Sequence, residues 1–432
     1  MEQQVAFGGL QRRVLSTLVL AQIFGGIGVA SGVAVGALLA TDLASESFSG
    51  LASASSTIGA AVIAIPVTRL MTTTGRRPGI MLAYLIGIIG ALTVITGAYF
   101  RFFPLALAGL LLAGGGSTAT LQSRYAAADL AEPKHRGRDL ATVVWATTIG
   151  SVVGPNLMGP MGRVAESIGL PRLSGPYLIT VAAYISASAS VWLLLRPDPL
   201  VVAREANPDR LLAGAQARKG TSMREAASII RSSPPATVGL ASVVLGHAVM
   251  VAVMAMTPVH LRHGDATLQV IGLVISGHIT GMYIASPLVG MAADRIGRRS
   301  VILVGAGILL LSFLIAGTAS GHESRQLLVG LFLLGLGWSC TMVSGSTLLT
   351  ESIEPNQRPA VQGATDLTMG MGGALAGLLS GVVVGIGSYA ILNGIAATLV
   401  FILIAVTVLE RTRRPGAPVP MIEPREVSDA AS

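Results

Sequence analysis

Residues Gly290–Arg299, with the sequence GMAADRIGRR, separate two long apolar stretches of this chain. One acid, Asp294, and three arginines crowd this short turn, whereas residues 268–290 and 300–320 contain no Asp, Glu, Lys or Arg. Each stretch has the length of about 20 residues that a helix needs to span a lipid bilayer. The turn is therefore predicted to lie at a membrane surface, where its charges reach water.

The whole chain has the composition of a protein embedded in lipid. Of its 432 residues, 52% are hydrophobic and 12% are charged, whereas a soluble domain carries about 25% charged residues. Most of the surface must therefore face the lipid bilayer. Because lipid offers the backbone no hydrogen-bond partner, helices or a closed barrel are the alternatives, and apolar runs of about 20 residues favour helices.

We therefore predict an all-α membrane protein with twelve transmembrane helices. Their predicted positions are 14–40, 48–71, 79–98, 104–123, 140–162, 176–196, 236–258, 268–290, 300–320, 326–349, 362–385 and 388–410.

An internal repeat divides the chain into two related halves. Gly75-Arg76-Arg77 recurs as Gly297-Arg298-Arg299 at an offset of 222 residues. The same offset relates Glu132-Pro133 to Glu354-Pro355, Arg136 to Arg358 and Gly150 to Gly372. We predict six-helix halves at 1–196 and 236–414, a cytoplasmic linker at 197–235 and a disordered tail at 415–432. Paired halves of this kind enclose a central cavity and expose it to alternate sides of the membrane.

Positive charge in this chain indicates membrane orientation. The net charge is +8, and with a cytoplasmic N-terminus nearly all Lys and Arg residues lie at cytoplasmic helix ends, as the positive-inside rule requires. The exceptions are Arg101, Arg163, Arg172, Arg262 and Arg325. We therefore expect both termini in the cytoplasm, placement in the cytoplasmic (inner) membrane and no nucleic-acid partner.

Several functional classes are excluded by what the sequence lacks. Cys340 is the single cysteine, which excludes an internal disulfide and a cysteine-based zinc site. There is no nucleotide-binding loop, nucleophile triad or cofactor fingerprint, so we expect a protein that is not an enzyme and has no cofactor.

The loop 290–299 resembles the signature loop that follows the second helix of a half in the major facilitator superfamily. The resemblance implies the major facilitator fold, with a cytoplasmic gate braced by charge pairing and helix-end contacts. The residues it assigns to the gate are Asp294, Arg295, Gly297, Arg298 and Arg299. The first half keeps Gly75, Arg76 and Arg77 but has Thr72 in place of the acid, so its latch is expected to be weaker.

Candidate substrate ligands lie in the predicted seventh and eighth helices, as Met250-x-x-x-Met254 and His278-x-x-x-Met282. Residues four apart share one helical face. With a rise of about 1.5 Å per residue, Met250 lies roughly 12 Å and His278 roughly 15 Å below the outer surface. Thioether and imidazole groups suit copper, above all Cu(I). His247 is a candidate accessory ligand, although packing explains it equally well.

The alternative for these four residues is ordinary packing, because methionine commonly fills gaps in apolar cores and an intramembrane histidine can bond a backbone carbonyl. In the first half the aligned positions are Gly28, Gly32, Ser56 and Ala60, so the ligands are not a requirement of the shared scaffold. Two pairs at similar depth favour a metal.

Together the two pairs resemble the signature of the CcoA-like copper importers. The resemblance implies that Met250, Met254, His278 and Met282 bind copper during uptake for assembly of cbb3-type cytochrome c oxidase. The transported copper ion would then pass to a downstream copper chaperone. We expect a monomer.

Other functions remain open. Gly150-x-x-x-Gly154-Pro155 resembles a fifth-helix motif of drug–proton antiporters, although close helix packing through small residues explains it equally well. Against antiport, the first six predicted helices contain no Asp or Glu. A third candidate is a membrane sensor or assembly partner that transports nothing.

Asp366 is a candidate for proton relay or for pairing with Arg358. His260, His263 and Asp265 are candidates for collecting metal in the outer loop, with a solvated loop as the alternative.

Overall fold

A computed structural model describes residues 2–131, 136–206, 223–354 and 357–413, and their regular secondary structure is helical. The first half contains α1 (Glu2–Leu43), α2 (Ser49–Thr74), α3 (Arg76–Tyr99), α4 (Phe103–Ala128), α5 (Arg136–Asn156), α6 (Met158–Ser167) and α7 (Gly175–Leu194). Two linker helices follow, α8 (Pro199–Ala206) and α9 (Met223–Ser232). The second half contains α10 (Pro234–His263), α11 (Leu268–Tyr283), α12 (Ser286–Ile296), α13 (Arg298–Thr318), α14 (Ser324–Glu351), α15 (Arg358–Ile386) and α16 (Tyr389–Arg413).

The predicted twelve spans are confirmed. Within the described ranges, 11 helical segments are long and apolar enough to cross a membrane, and one bent pair of helices supplies the twelfth. That pair corrects the prediction of a continuous helix over 140–162, because α5 and α6 meet at an angle of 50°. Pro155 lies inside the last turn of α5, where it lacks the N–H that would continue the helical hydrogen bonding.

The eighth predicted span is also interrupted. Instead of one helix over 268–290, α11 ends at Tyr283 and α12 begins at Ser286. Pro287 lies in the first turn of α12, a position that proline tolerates because its missing N–H would have no partner there.

Glycines allow the helices to approach closely within each half. A Cβ atom at Gly150 would lie 2.0 Å from the carbonyl oxygen of Ile23, and one at Gly154 would lie 2.7 Å from that of Ile27. Both glycines of the predicted antiporter motif therefore sit against the backbone of α1. Small residues let membrane helices pack backbone to backbone, so packing accounts for these two positions.

The two halves touch at one end of the molecule. A Cβ atom at Gly50 on α2 would lie 2.3 Å from the carbonyl oxygen of Gly377 on α15. On the other side, a Cβ atom at Gly272 on α11 would lie 2.1 Å from the carbonyl oxygen of Pro155. We call this end, where α2 and α11 begin, the closed end.

Towards the opposite end, the helices that pair the two halves expose large side chains. Ile65 on α2, Trp145 on α5, Leu288 on α12 and Met371 on α15 are all exposed. Because α12 packs chiefly on α13 and α14 of its own half, the halves contact each other less at this end, which we call the open end. The turns at Gly75 and Gly297 both lie there.

The linker begins and ends in short helices. Ala226 and Ile230 on α9 are buried against Leu349 on α14 and Ile353, as an amphipathic segment would be. Several predicted features lie outside the described residues. They are residues 207–222 of the linker, the tail 415–432, and Glu132, Pro133 and Pro355 of the repeat.

Candidate metal site and gate loops

His278 on α11 is held in an orientation that leaves one ring nitrogen free. Its side chain is 1% exposed, and Nδ1 lies 2.9 Å from the carbonyl oxygen of Leu331 on α14. Since a carbonyl only accepts, Nδ1 carries the proton and Nε2 carries the lone pair. Nε2 is buried and has no hydrogen-bond partner among the described residues. Metal-binding histidines show the same pattern, with the second nitrogen donating to a carbonyl.

The three methionines lie in the same apolar core as Leu331. Met250 and Met282 are 7% and 9% exposed, and Met254 is half-buried. Met282 follows His278 along the surface of α14, since a Cβ atom at Gly335 would lie 2.8 Å from the Met282 nitrogen. The His278–Met282 pair therefore faces one stretch of α14.

The positions of the first half that align with the candidate ligands lie around a cavity. Gly28, Gly32 and Ser56 line a single small cavity there, together with Tyr177 and Tyr184. These three positions align with Met250, Met254 and His278 at the repeat offset. The Ser56 hydroxyl donates to the carbonyl of Leu110, which aligns with Phe332, one residue beyond the Leu331 carbonyl that His278 contacts. In the first half, the positions aligned with three of the four candidate ligands therefore share one cavity.

Helices α10 and α11, which hold the two candidate ligand pairs, pack little on each other. Each instead packs against α14, which lies between them. A Cβ atom at Gly246 on α10 would lie 2.4 Å from the Thr341 hydroxyl oxygen, and one at Gly281 on α11 would lie 2.2 Å from the Phe332 carbonyl oxygen. The sequence predicted the two ligand pairs on consecutive helices, and the structure shows that a third helix, α14, contacts both of these helices.

His247 belongs to a neighbouring aromatic cluster. Its Nδ1 accepts a hydrogen bond of 3.3 Å from Trp338 Nε1, so that lone pair is already used. The Trp338 ring in turn packs edge-on against Tyr283, with ring centroids 6.1 Å apart. Trp338 and Tyr283 were not among the residues predicted from the sequence. The repeat could have pointed to Trp338, because this large residue aligns with Gly116 of the first half.

The gate loop of the second half is a surface ion-pair network. Arg298 Nη2 lies 2.8 Å from Asp294 Oδ1 and 2.9 Å from Glu351 Oε1. Arg298 Nη1 also donates to the carbonyl of Ala293. Arg299 pairs with Glu410 on α16, and Arg295 is exposed. Asp294 and two of the three arginines therefore make the charge pairs that the resemblance implies, and their role in gating stays a prediction.

The gate loop of the first half has a more buried ion pair. Arg76 binds Asp129 through two hydrogen bonds, Nε to Oδ2 at 2.8 Å and Nη2 to Oδ1 at 3.0 Å. Asp129 aligns with Glu351 at the repeat offset. Burial raises the pKa of Asp129 above its ordinary value, and the bonds from Arg76 oppose that shift. The backbone N–H of Arg77 donates to Asp198, which follows α7, at 2.7 Å.

The outer-loop histidines have partners of other kinds. His260 Nε2 lies 3.0 Å from the carbonyl oxygen of Ala319, and its ring stacks on Tyr389. His263 Nε2 lies 2.9 Å from Glu46 Oε1 across the closed end. These contacts support a structural role for both residues rather than the collection of metal.

Titratable groups do not form a metal cluster in the described ranges, where no three His, Cys, Asp or Glu side chains converge. A metal site there would need methionine sulfur. Among the described residues Asp366 makes no ion pair with Arg358, whose Nε donates to the carbonyl of Ile353.

Comparison with known proteins agrees with this architecture. The profile of the Major Facilitator Superfamily matches residues 15–268 and 262–429, and the chain belongs to this superfamily. It is thus a multi-pass membrane protein, and its family and fold indicate a transporter rather than an enzyme.

Relatives and structural neighbours of this chain are transporters. The MFS-type transporter YdeG of Bacillus subtilis (strain 168) is 40% identical over 406 residues, covering 94% of this chain and 93% of YdeG. The riboflavin transporter RfnT of Brucella anthropi is 23% identical over 363 residues, covering 83% and 85%. The crystal structure of the nucleoside transporter NupG superposes with a TM-score of 0.66 at 15% identity, covering 91% and 98%, which shows a shared fold.

Proposed function

We propose that this transporter imports copper across the cytoplasmic membrane through Met250, Met254, His278 and Met282. The observation that carries the proposal is the buried, unpartnered Nε2 of His278, whose Nδ1 is fixed by the Leu331 carbonyl. An unpaired buried nitrogen costs about 1–3 kcal/mol, and a bound metal would remove that cost. Soft sulfur and neutral imidazole favour Cu(I).

Transport by this route follows alternating access. Thioethers bind copper without losing a proton, and a neutral His278 would bind copper through Nε2, so uptake and release at this site would need no deprotonation. With both termini in the cytoplasm, the open end of this structure faces the cytoplasm. The structure then corresponds to the state that releases its substrate inward, with a copper chaperone as the acceptor and cbb3-type oxidase assembly as the destination.

Removing ligand atoms while keeping side-chain volume tests the proposal. Met250→Leu, Met254→Leu and His278→Gln each keep roughly the original volume. Uptake of labelled copper by cells should fall at least about tenfold, the effect of losing about 1.4 kcal/mol of site affinity or more. The purified variants should also bind Cu(I) more weakly in competition with a chelator.

Met256→Leu is the matched control. Met256 lies on the same helix and is fully buried, but its sulfur contacts Ser49 of the first half. It should transport copper like the wild type. Wild-type uptake and binding in both Met254→Leu and His278→Gln would remove the copper assignment and leave a carrier of another substrate.

The second candidate is the drug–proton antiporter, or more broadly a carrier of aromatic organic molecules. The cluster of His247, Trp338 and Tyr283 favours it, because aromatic side chains stack on planar ligands. Asp366 supplies a carboxylate inside α15. The similarity to a riboflavin transporter points the same way.

A single comparison separates the two candidates. Trp338→Ala should abolish organic-substrate transport and drug resistance on expression, while copper uptake falls much less than in His278→Gln. The reverse ranking of these two variants for copper would favour a site at the aromatic cluster.

A further inference from the structure

The turn between α2 and α3 lacks the acid that the equivalent turn of the second half contains. Asp294 pairs with Arg298, four residues further along. The aligned residue in the first half is Thr72, whose hydroxyl donates instead to the carbonyl of Arg69. Arg76 therefore has no partner of this kind on its own helix turn.

A carboxylate reaches this turn from elsewhere in the chain. Asp198, just after α7, accepts a hydrogen bond of 2.7 Å from the backbone N–H of Arg77. Its other oxygen accepts from the N–H of Leu200 at 2.9 Å, which caps α8. One side chain thus ties the turn to the first helix of the linker.

The Asp198 carboxylate packs closely against the backbone at Gly75. Its φ of +107° is accessible to few residues other than glycine, and a Cβ atom there would lie 2.6 Å from the Asp198 carboxyl carbon. Gly297 has a similar φ of +89°, but no described atom lies within 4 Å of its Cβ position. Close cover by a carboxylate is therefore specific to the first half.

Helix α8 adds a second contact to the same turn. Arg204 Nη2 donates to the carbonyl of Met71 at 3.3 Å, near the end of α2. This carbonyl and the Arg77 N–H stand on either side of Gly75, so α8 holds both sides of the turn.

We propose that Asp198 is a positioning residue of the first gate, which replaces the acid missing at Thr72 and couples the turn to the linker between the halves. The carboxylate lies beside Arg77 and fixes the backbone between Arg76 and Arg77. Because α8 begins the linker, the turn at Gly75 and the first helix of the linker move as one unit.

Asp198→Ala tests this role with two independent measurements. Hydrogen exchange of the Arg77 amide in the purified protein should accelerate about tenfold, which corresponds to about 1.4 kcal/mol. Uptake of labelled copper should fall by a similar factor, while Cu(I) binding by the purified protein stays at the wild-type level. The exchange measurement does not depend on copper being the substrate.

Thr72→Asp in the Asp198→Ala background supplies the decisive comparison. The new acid stands four residues before Arg76, as Asp294 stands before Arg298, and it should restore most of the uptake without restoring protection of the Arg77 amide. Unchanged exchange and uptake in Asp198→Ala would overturn the proposal, as would a folded double variant whose uptake stays at the level of Asp198→Ala.

Discussion

The two halves of this transporter use the same repeat but fill it with different side chains. In the first half, Gly28 and Gly32 leave room for the rings of Tyr184 and Tyr177. In the second half, the aligned positions hold Met250 and Met254. Glycine in one half is thus exchanged for a long thioether side chain in the other.

This exchange has a functional consequence. Tyrosine rings pack the first half with groups that do not bind soft metals, whereas the second half places thioethers and a free imidazole nitrogen in the corresponding region. Under the copper proposal, one half of the duplicated scaffold stays packed while the other half carries the metal ligands.

Gly28→Met should give the largest effect, because it puts the side chain of the second half into the first half. A Cβ atom at Gly28 would lie 2.4 Å from the Tyr184 ring. Overpacking of this kind costs about 3 kcal/mol or more, so the purified protein should unfold at a clearly lower temperature, or fail to accumulate. Adding Tyr184→Val, which removes the ring that the new side chain meets, should recover part of that loss. Equal unfolding temperatures for Gly28→Met and the wild type would show that the two halves tolerate the same residues.

Replacing the arginine of the first gate loop should destabilise the protein more than replacing the arginine of the second, although the second loop has the more complete sequence motif. The Arg76–Asp129 pair is 15% and 12% exposed, whereas Asp294 and Glu351 are 71% and 51% exposed. Arg76→Ala leaves a buried carboxylate unpaired and should destabilise by about 3 kcal/mol. Arg298→Ala should cost at most about 1 kcal/mol.

Unfolding in detergent, followed by circular dichroism, measures this ranking. Arg76→Lys is the control, since it keeps the charge but loses the two-bond geometry and should fall between the wild type and Arg76→Ala. A larger loss for Arg298→Ala than for Arg76→Ala would contradict the difference in burial.

Substituting the turn glycines should give the smallest difference in stability between the two halves. Both Gly75→Ala and Gly297→Ala place a side chain at positive φ, at a cost of about 1–2 kcal/mol. At Gly75 the new methyl group also meets the Asp198 carboxylate, so its loss should be larger by about 1 kcal/mol. Gly307→Ala, with no described atom within 4 Å of its Cβ position, is a neutral control. Identical losses at both turns would mean that Asp198 moves aside freely.

The sequence predicted the fold well because membrane spans are local features. The apolar runs gave the twelve spans, and the offset between Gly75 and Gly297 gave the two halves. The break after Asn156 was missed although Pro155 was visible, since membrane helices often contain proline without breaking.

The gate and the candidate site were predictable only in part. The spacing of Met250, Met254, His278 and Met282 identified candidate ligands on helical faces. Trp338 beside His247 and Asp198 beside Gly75 were missed, because each contact joins segments that are far apart in the chain.

The sequence by itself determined the membrane location, the helix count, the repeat and the residue types that can bind a soft metal, because apolar length and helical period act over neighbouring residues. Tertiary structure alone decided which nitrogen of His278 is free, which helix contacts both α10 and α11, and which acid contacts the turn at Gly75. Those properties depend on hydrogen bonds and packing between distant segments, and they exist only when the halves are folded.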